Sequence, residues 1–194
     1  MRYGSALIAL GANLPHAGRT PAQTLRAALA ALRDAGFVHL RESALYATPC
    51  FPPGAGPDYV NACAVADWAG DAAAALAALH GVEAAFGRSR AERWGMRTLD
   101  LDLIALDDAV LPDRATWAHW AGLPPAEQAR AAPDRLVLPH PRLADRAFVL
   151  VPLAEVAPLW RHPVTGRTVA GMLAALPAAD RAAVVPIGPR IAPK

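Results

Sequence analysis

Hydrophobic positions recur along the chain in two rhythms, one suited to strands and one to helices. Residues 5–10 form a short unbroken apolar run that predicts a buried strand, and Gly11, Ala12 and Asn13 after it read as a turn. Thr20 caps a helix over residues 21–35, with Pro21 in its first turn, Leu25, Leu29 and Leu32 at helical spacing, and Gly36 as the stop. Over residues 37–46 the period shortens to two. Val38, Leu40, Ala44 and Tyr46 share one parity and Arg41 and Ser43 the other, so a single strand is predicted, with Leu45 an exception to the alternation. The loop at 48–57 contains Pro49, Pro52, Pro53, Gly54, Gly56 and Pro57, which bar it from a sheet interior. A strand over 58–68, an alanine-rich helix over 71–86 ended by Gly87, and a strand over 98–106 complete the repeat. The order strand, helix, strand, strand, helix, strand is that of a split βαβ unit. It predicts an α+β fold of the ferredoxin-like kind, a two-layer sandwich of one antiparallel sheet with helices packed on one face.

The remainder departs from that rhythm. Residues 112–135, with Trp117, Trp120 and the Pro124-Pro125 pair, predict a helical insertion that packs as a flap on the body. Residues 136–138 suggest a brief edge strand, 148–156 and 169–176 helices, 158–167 a turn, and the chain beyond Pro177 a peripheral tail.

At 194 residues the chain is expected to be one domain, numbered 1–194, carrying that insertion. Hydrophobic residues make up 54% of it, much of this alanine, so the core is adequate rather than large. Every basic residue but Lys194 is Arg, yet the formal net charge is only +2, far from the balance of a nucleic-acid-binding domain. Cys50 and Cys63 are too few for a disulfide framework and lack zinc-site spacing, so a reducing compartment is expected. There is no signal-peptide pattern and no uncharged apolar stretch of about 18 residues. These features predict a soluble, cytoplasmic monomer with neither membrane nor nucleic-acid partners.

The chemistry concentrates in one stretch. Strand alternation puts Asp100 and Asp102 on one face and Leu99, Leu101 and Leu103 on the other. Two like charges on one strand face repel, so a cation belongs with them. Magnesium suits the pair, because it binds through one or two carboxylates and completes its shell with water and phosphate oxygens. An isolated Asp-x-Asp is more often a solvated strand edge, but Arg88, Arg90, Arg93 and Arg97 precede this one, with Gly87 and Gly95 as joints. Guanidinium groups fit phosphate oxygens, and cation and guanidinium together can share developing charge in phosphoryl chemistry. No Ser-His-Asp or Cys-His set is evident, and His16, His39, His119 and His162 have no metal-ligand spacing.

Arg93-Trp94-Gly95, Arg97 and Asp100-Leu101-Asp102, with Tyr59-Val60-Asn61 upstream and Pro139-His140-Pro141 downstream, resemble the 6-hydroxymethyl-7,8-dihydropterin pyrophosphokinase (HPPK) family, from about Leu7 to Leu153. The resemblance implies a ferredoxin-like α+β fold and transfer of pyrophosphate from ATP to the pterin hydroxymethyl oxygen, with release of AMP. It implies two Mg2+ ions on Asp100 and Asp102, and phosphate contacts from Arg88, Arg97, His140 and Arg146. Tyr59 and Phe148 would sandwich the pterin ring, Asn61 and the Thr48-Pro49 backbone would bond its edge, and Trp94 would reach the pterin from a loop that closes over the substrates. His80, Glu83 and Leu103 would line the adenosine pocket.

Two departures from the family pattern stand out. Met96 replaces the Pro or small residue usual at its position, and 112–135 is longer than the usual connection, so that it either covers the adenine side or offers a contact surface. Competing readings are a ferredoxin-like RNA-binding module, a metal-dependent nuclease or phosphatase built on Asp-x-Asp, and an inactive homologue kept for a partner. The first lacks aromatic strands of the RNA-recognition type and carries carboxylates where phosphate would approach.

Overall fold

The computed structural model describes residues 3–50, 56–87, 97–124, 127 and 131–187. Its centre is β1 (Gly4–Ala12), buried from Ala6 to Ala12 without a break. Gly11 and Ala12, expected to turn, instead continue the strand, because each is paired on both sides or on one by a neighbouring strand. Thr20 caps α1 (Pro21–Asp34) in a reciprocal box with Gln23. Asp71 caps α2 (Ala72–Ala85), and Gly87 follows that helix with φ of 73°.

The segment predicted as one strand over 37–46 is two, β2 (Val38–Glu42) and β3 (Tyr46–Thr48), both antiparallel to β4 (Tyr59–Trp68). His39 adopts a positive φ of 50°, and the pairing slips between Val38 and Arg41. The chain then leaves the ladder at Ser43 and re-enters at Tyr46, which accounts for the misfit of Leu45. β5 (Asp100–Leu106) lies on the other side of β1. The sheet runs β5-β1-β4-β3, antiparallel at each of these pairings, with β2 also on β4. Each strand-helix-strand crossover therefore skips a position that a strand of the other crossover fills.

Two apolar layers hold the sheet, which corrects the expectation of helices on one face alone. Ala6, Ile8 and Leu10 point to α1 and α2, joining Leu25, Leu32, Leu79, Leu101 and Leu103. Leu7 and Ala9 point the other way, to Val149, Leu150 and Leu153 of α4 (Ala147–Val156) and to Val169 and Met172 of α5 (Val169–Ala175). Each fully buried Leu or Val contributes about 1.5–3 kcal/mol of transfer free energy, so both layers matter to stability. A bulge in β5 allows the second layer to close: the register slips between Leu7 and Ile8, and Ile104 and Ala105 both face α4.

The insertion forms α3 (Arg114–Gly122), capped by Asp113. Residues 136–138 make a single bridge, Leu111 to Leu138, rather than a strand. The tail is not peripheral: α6 (Ala178–Ala182) leads into β6 (Val185–Pro186), which adds to the edge of β3. Among the described residues no helix is long and apolar enough to cross a membrane.

Candidate functional site

Antiparallel register lines up the functional side chains. Asp100 pairs with Gly11 and Gly11 with Asn61, while Asp102 pairs with Ala9 and Ala9 with Cys63. Tyr46 and Thr48 stand opposite Asn61 and Tyr59. Directly opposed residues share a face, so Asp100, Asp102, Asn61, Tyr59 and Thr48 all rise on the face covered by α4. Gly11 is the low point between them, because a Cβ there would come within 3.1 Å of Asn61 Oδ1.

A cleft of about 790 Å3 opens over this row. Thr48, Pro49, Tyr59, Asn61 and Phe148 line it with Arg97, Asp100, Asp102, Leu103, His140 and Arg146. Asp102 and Leu103 are neighbours that point to opposite faces, so the cleft wraps around the open edge of β5 and reaches Leu76 of α2. Trp120 and residues 131–133 of the insertion line it as well.

Charges within the cleft are paired. Arg97 donates to Asp100 in a short ion pair, and Arg146 Nη1 lies 3.7 Å from Asp102 Oδ2. Arg146 also stands over the Phe148 ring, 5.6 Å from its centroid. Burial pulls the Arg146 pKa down, and Asp102 works against that shift. Burial raises the Tyr59 pKa, which keeps its hydroxyl a donor at neutral pH.

Among the described residues no group of three or more His, Cys, Asp or Glu gathers as a cation site. A pair of hard carboxylates on one strand face nevertheless fits magnesium, whose remaining positions go to water and phosphate oxygens.

His140 is held by its own turn. Its backbone N–H donates to Ile104 O at 2.7 Å, and its Nδ1 accepts the Arg142 N–H at 3.1 Å. Burial, aided by Arg146 and Arg142, holds its pKa down to about 3. The neutral ring with Nδ1 as acceptor carries its proton on Nε2, which lies 3.5 Å from Arg146 Nη1. Both groups are donors and share no proton, so they converge on a common acceptor position.

His162, edge-on to Trp117 and Trp160, is likewise lowered by burial to about 4. Between these values and the ordinary 6.5 the unfolded chain binds more protons than the folded one, so stability falls as pH drops through that window. The melting temperature is expected to decline steadily from pH 7 to pH 4.5 in calorimetry; a flat profile would show that these rings accept protons in the fold.

The sequence pattern marks Asn13 only as a turn residue. It is 2% exposed, its Oδ1 accepts the Arg97 N–H at 2.8 Å, and its Nδ2 donates to Pro57 O at 3.2 Å. It thereby ties the end of β1 to two loops that border the cleft. Its burial, invisible to periodicity, is what distinguishes it from an ordinary turn Asn. Periodicity marks Tyr46 only as a strand residue, yet its hydroxyl donates to Glu155 Oε1 at 2.5 Å, and Glu155 Oε2 accepts the Ala44 N–H at 2.8 Å. These bonds fasten α4, which carries Phe148, to the strand beside Asn61.

Two expected site residues lie elsewhere. Glu83 is 1% exposed on the α2 face, where its Oε1 accepts the Leu101 N–H at 2.7 Å. It braces the aspartate strand from beneath rather than lining the cleft, because a carboxylate on the inner face of α2 meets a buried amide on the side of β5 that faces away from β1. His80, half-buried on α2, is also absent from the lining. Arg88, Arg93, Trp94 and Met96 fall outside the described residues.

Residues 7–158 match the family model described as 7,8-dihydro-6-hydroxymethylpterin-pyrophosphokinase (HPPK). The chain is 37% identical to the 2-amino-4-hydroxy-6-hydroxymethyldihydropteridine pyrophosphokinase of Synechocystis, over 95% of this chain and 80% of that one. It is 36% identical to the enzyme of the same name from Pseudomonas aeruginosa, over 88% of this chain and 90% of that one. The wild-type HPPK-DHPS of Plasmodium falciparum has a similar fold, with a TM-score of 0.59 at 13% identity over 89% of this chain. The match spans 44% of the length of that larger chain.

Proposed function

The chain belongs to the 7,8-dihydro-6-hydroxymethylpterin-pyrophosphokinase family, and from that premise we propose that it transfers pyrophosphate from ATP to 6-hydroxymethyl-7,8-dihydropterin in folate biosynthesis. The hydroxymethyl oxygen forms a bond to the β-phosphorus, the bond between that phosphorus and the α,β-bridging oxygen breaks, AMP leaves, and the hydroxyl proton passes to solvent. The carrying observation is the single cleft that joins a polar aromatic corner to a carboxylate pair flanked by guanidinium groups.

Each part of that cleft has a task. Thr48 and Asn61, joined by a 2.6 Å bond from Asn61 Nδ2 to Thr48 Oγ1, present a fixed polar edge to the pterin. Tyr59 and Phe148 take its faces, each worth about 0.5–1.5 kcal/mol beyond area burial. Asp100 and Asp102 hold magnesium, which when bound neutralises the triphosphate and draws charge from the transferring group. Arg97 and Arg146, together with the Nε2 proton of His140, donate to phosphate oxygens and stabilise charge as it develops. No side chain need act as nucleophile, because positioning and electrostatics carry this reaction.

Arg88 and Trp94 keep the roles that the family resemblance implies, phosphate contact and loop closure. The α1–α2 side of the sheet, with its interleaved crossovers, supports a ferredoxin-like reading of that half. Two free buried cysteines support a reducing, cytoplasmic setting.

A product assay tests the activity, with ATP, magnesium and the pterin each omitted in turn. AMP formed only when all three are present is expected; release of inorganic phosphate in place of AMP would favour a phosphatase. Gly11→Ala checks the pterin end separately. Its methyl would press on the Asn61 amide, so the KM for pterin should rise several-fold with the KM for ATP unchanged. Equal KM values in variant and parent would remove Asn61 from the pterin contacts.

A further inference from the structure

We infer that the insertion supplies Trp120 as a stacking wall for the purine base of the nucleotide, a role resting on the proposed ATP chemistry. The insertion leaves the body between Leu111 and Leu138, which exchange backbone bonds of 2.9 and 3.1 Å, so both its ends are pinned beside β5. α3 is then locked by Trp117, which is 8% exposed, donates from Nε1 to Pro139 O at 2.8 Å and meets His162 edge-on at 4.9 Å.

Trp120 lies three residues further along the same helix, on a neighbouring part of its surface, and there it lines the cleft. It lines the cleft together with the apolar residues Leu76, Leu103, Leu136 and Val137, of which Leu76 on α2 and Leu103 lie around the edge of β5 from the polar corner that holds Asn61. Once the pterin occupies that corner and the phosphates lie along Asp100 and Asp102, the part of ATP left for these apolar residues is its base. A flat purine on an indole face gains stacking that survives in water, and a helix locked by Trp117 offers that face with little ordering cost.

Trp120→Ala and Trp120→Phe test this through binding of a nonhydrolysable ATP analogue with magnesium, read by calorimetry and without turnover. Trp120→Ala should weaken binding about tenfold, Trp120→Phe should restore it to within about threefold of the parent, and the melting temperature and the KM for pterin should stay unchanged. An unchanged Kd in Trp120→Ala, with AMP still produced, would overturn the role of Trp120 alone. A parent protein that binds the analogue but makes no AMP would instead overturn the proposed reaction, and the stacking role would still be judged by the Kd values.

Discussion

Asp102→Asn is expected to lower turnover by about 10²- to 10³-fold while leaving the fold nearly as stable as the parent. The two effects separate because of where the carboxylate sits. Asp102 has a side chain 39% exposed and only a 3.7 Å approach from Arg146, so as an ion pair it contributes at most about 1 kcal/mol to folding. As a donor to magnesium it has no substitute on that strand face other than Asp100. Asp100→Asn should cost similar turnover and more stability, since its side chain is 20% exposed and tightly paired with Arg97. Initial rates across a magnesium titration, with a melting curve for each variant, check this. Parent-like turnover in either variant would remove the metal from these residues.

Glu83→Ala should have the opposite signature, a large loss of stability with little direct effect on nucleotide affinity. Removing the carboxylate leaves the buried Leu101 N–H without its acceptor, at about 1–3 kcal/mol, and opens a cavity beneath β5. For a domain of this size 3 kcal/mol corresponds to a fall in melting temperature of about 6–12 °C. Glu83→Gln keeps an acceptor oxygen and should recover much of the loss. Were Glu83 instead part of the nucleotide pocket, Glu83→Ala would weaken ATP binding at an unchanged melting temperature.

The parts of the fold that were legible are those whose causes are local. Thr20 with Pro21, Asp71 and Gly87 mark helix ends by their own hydrogen bonds or φ angles, and β5 announces itself by the alternation of its first residues. The break between β2 and β3 was hidden, since it depends on a positive φ at His39 that side-chain periodicity does not report. The second helical layer had a signal in the unbroken apolar run of β1, which marks a strand covered on both faces. The order of the strands and helices drew attention to one layer instead. In the site, Asp100, Asp102 and Arg97 stood out as charges set in an apolar strand and the loop before it. Asn13, Trp120 and Glu83 owe their places to burial and to contacts across the sheet, so their types at their positions did not disclose what they touch.

β6 is only two residues long, and its effect reaches beyond the cleft. It occupies the free side of β3, where Val185 and Pro186 pair with Ala47 and Tyr46. Without it, β3 would offer unsatisfied amides to any passing chain, right next to Thr48. Pro186 has no amide hydrogen to extend the ladder outward, so growth of the sheet stops there. The tail is thus a guard against intermolecular strand pairing, and it lets the protein keep a polar, open ligand corner at the sheet margin without becoming prone to aggregation.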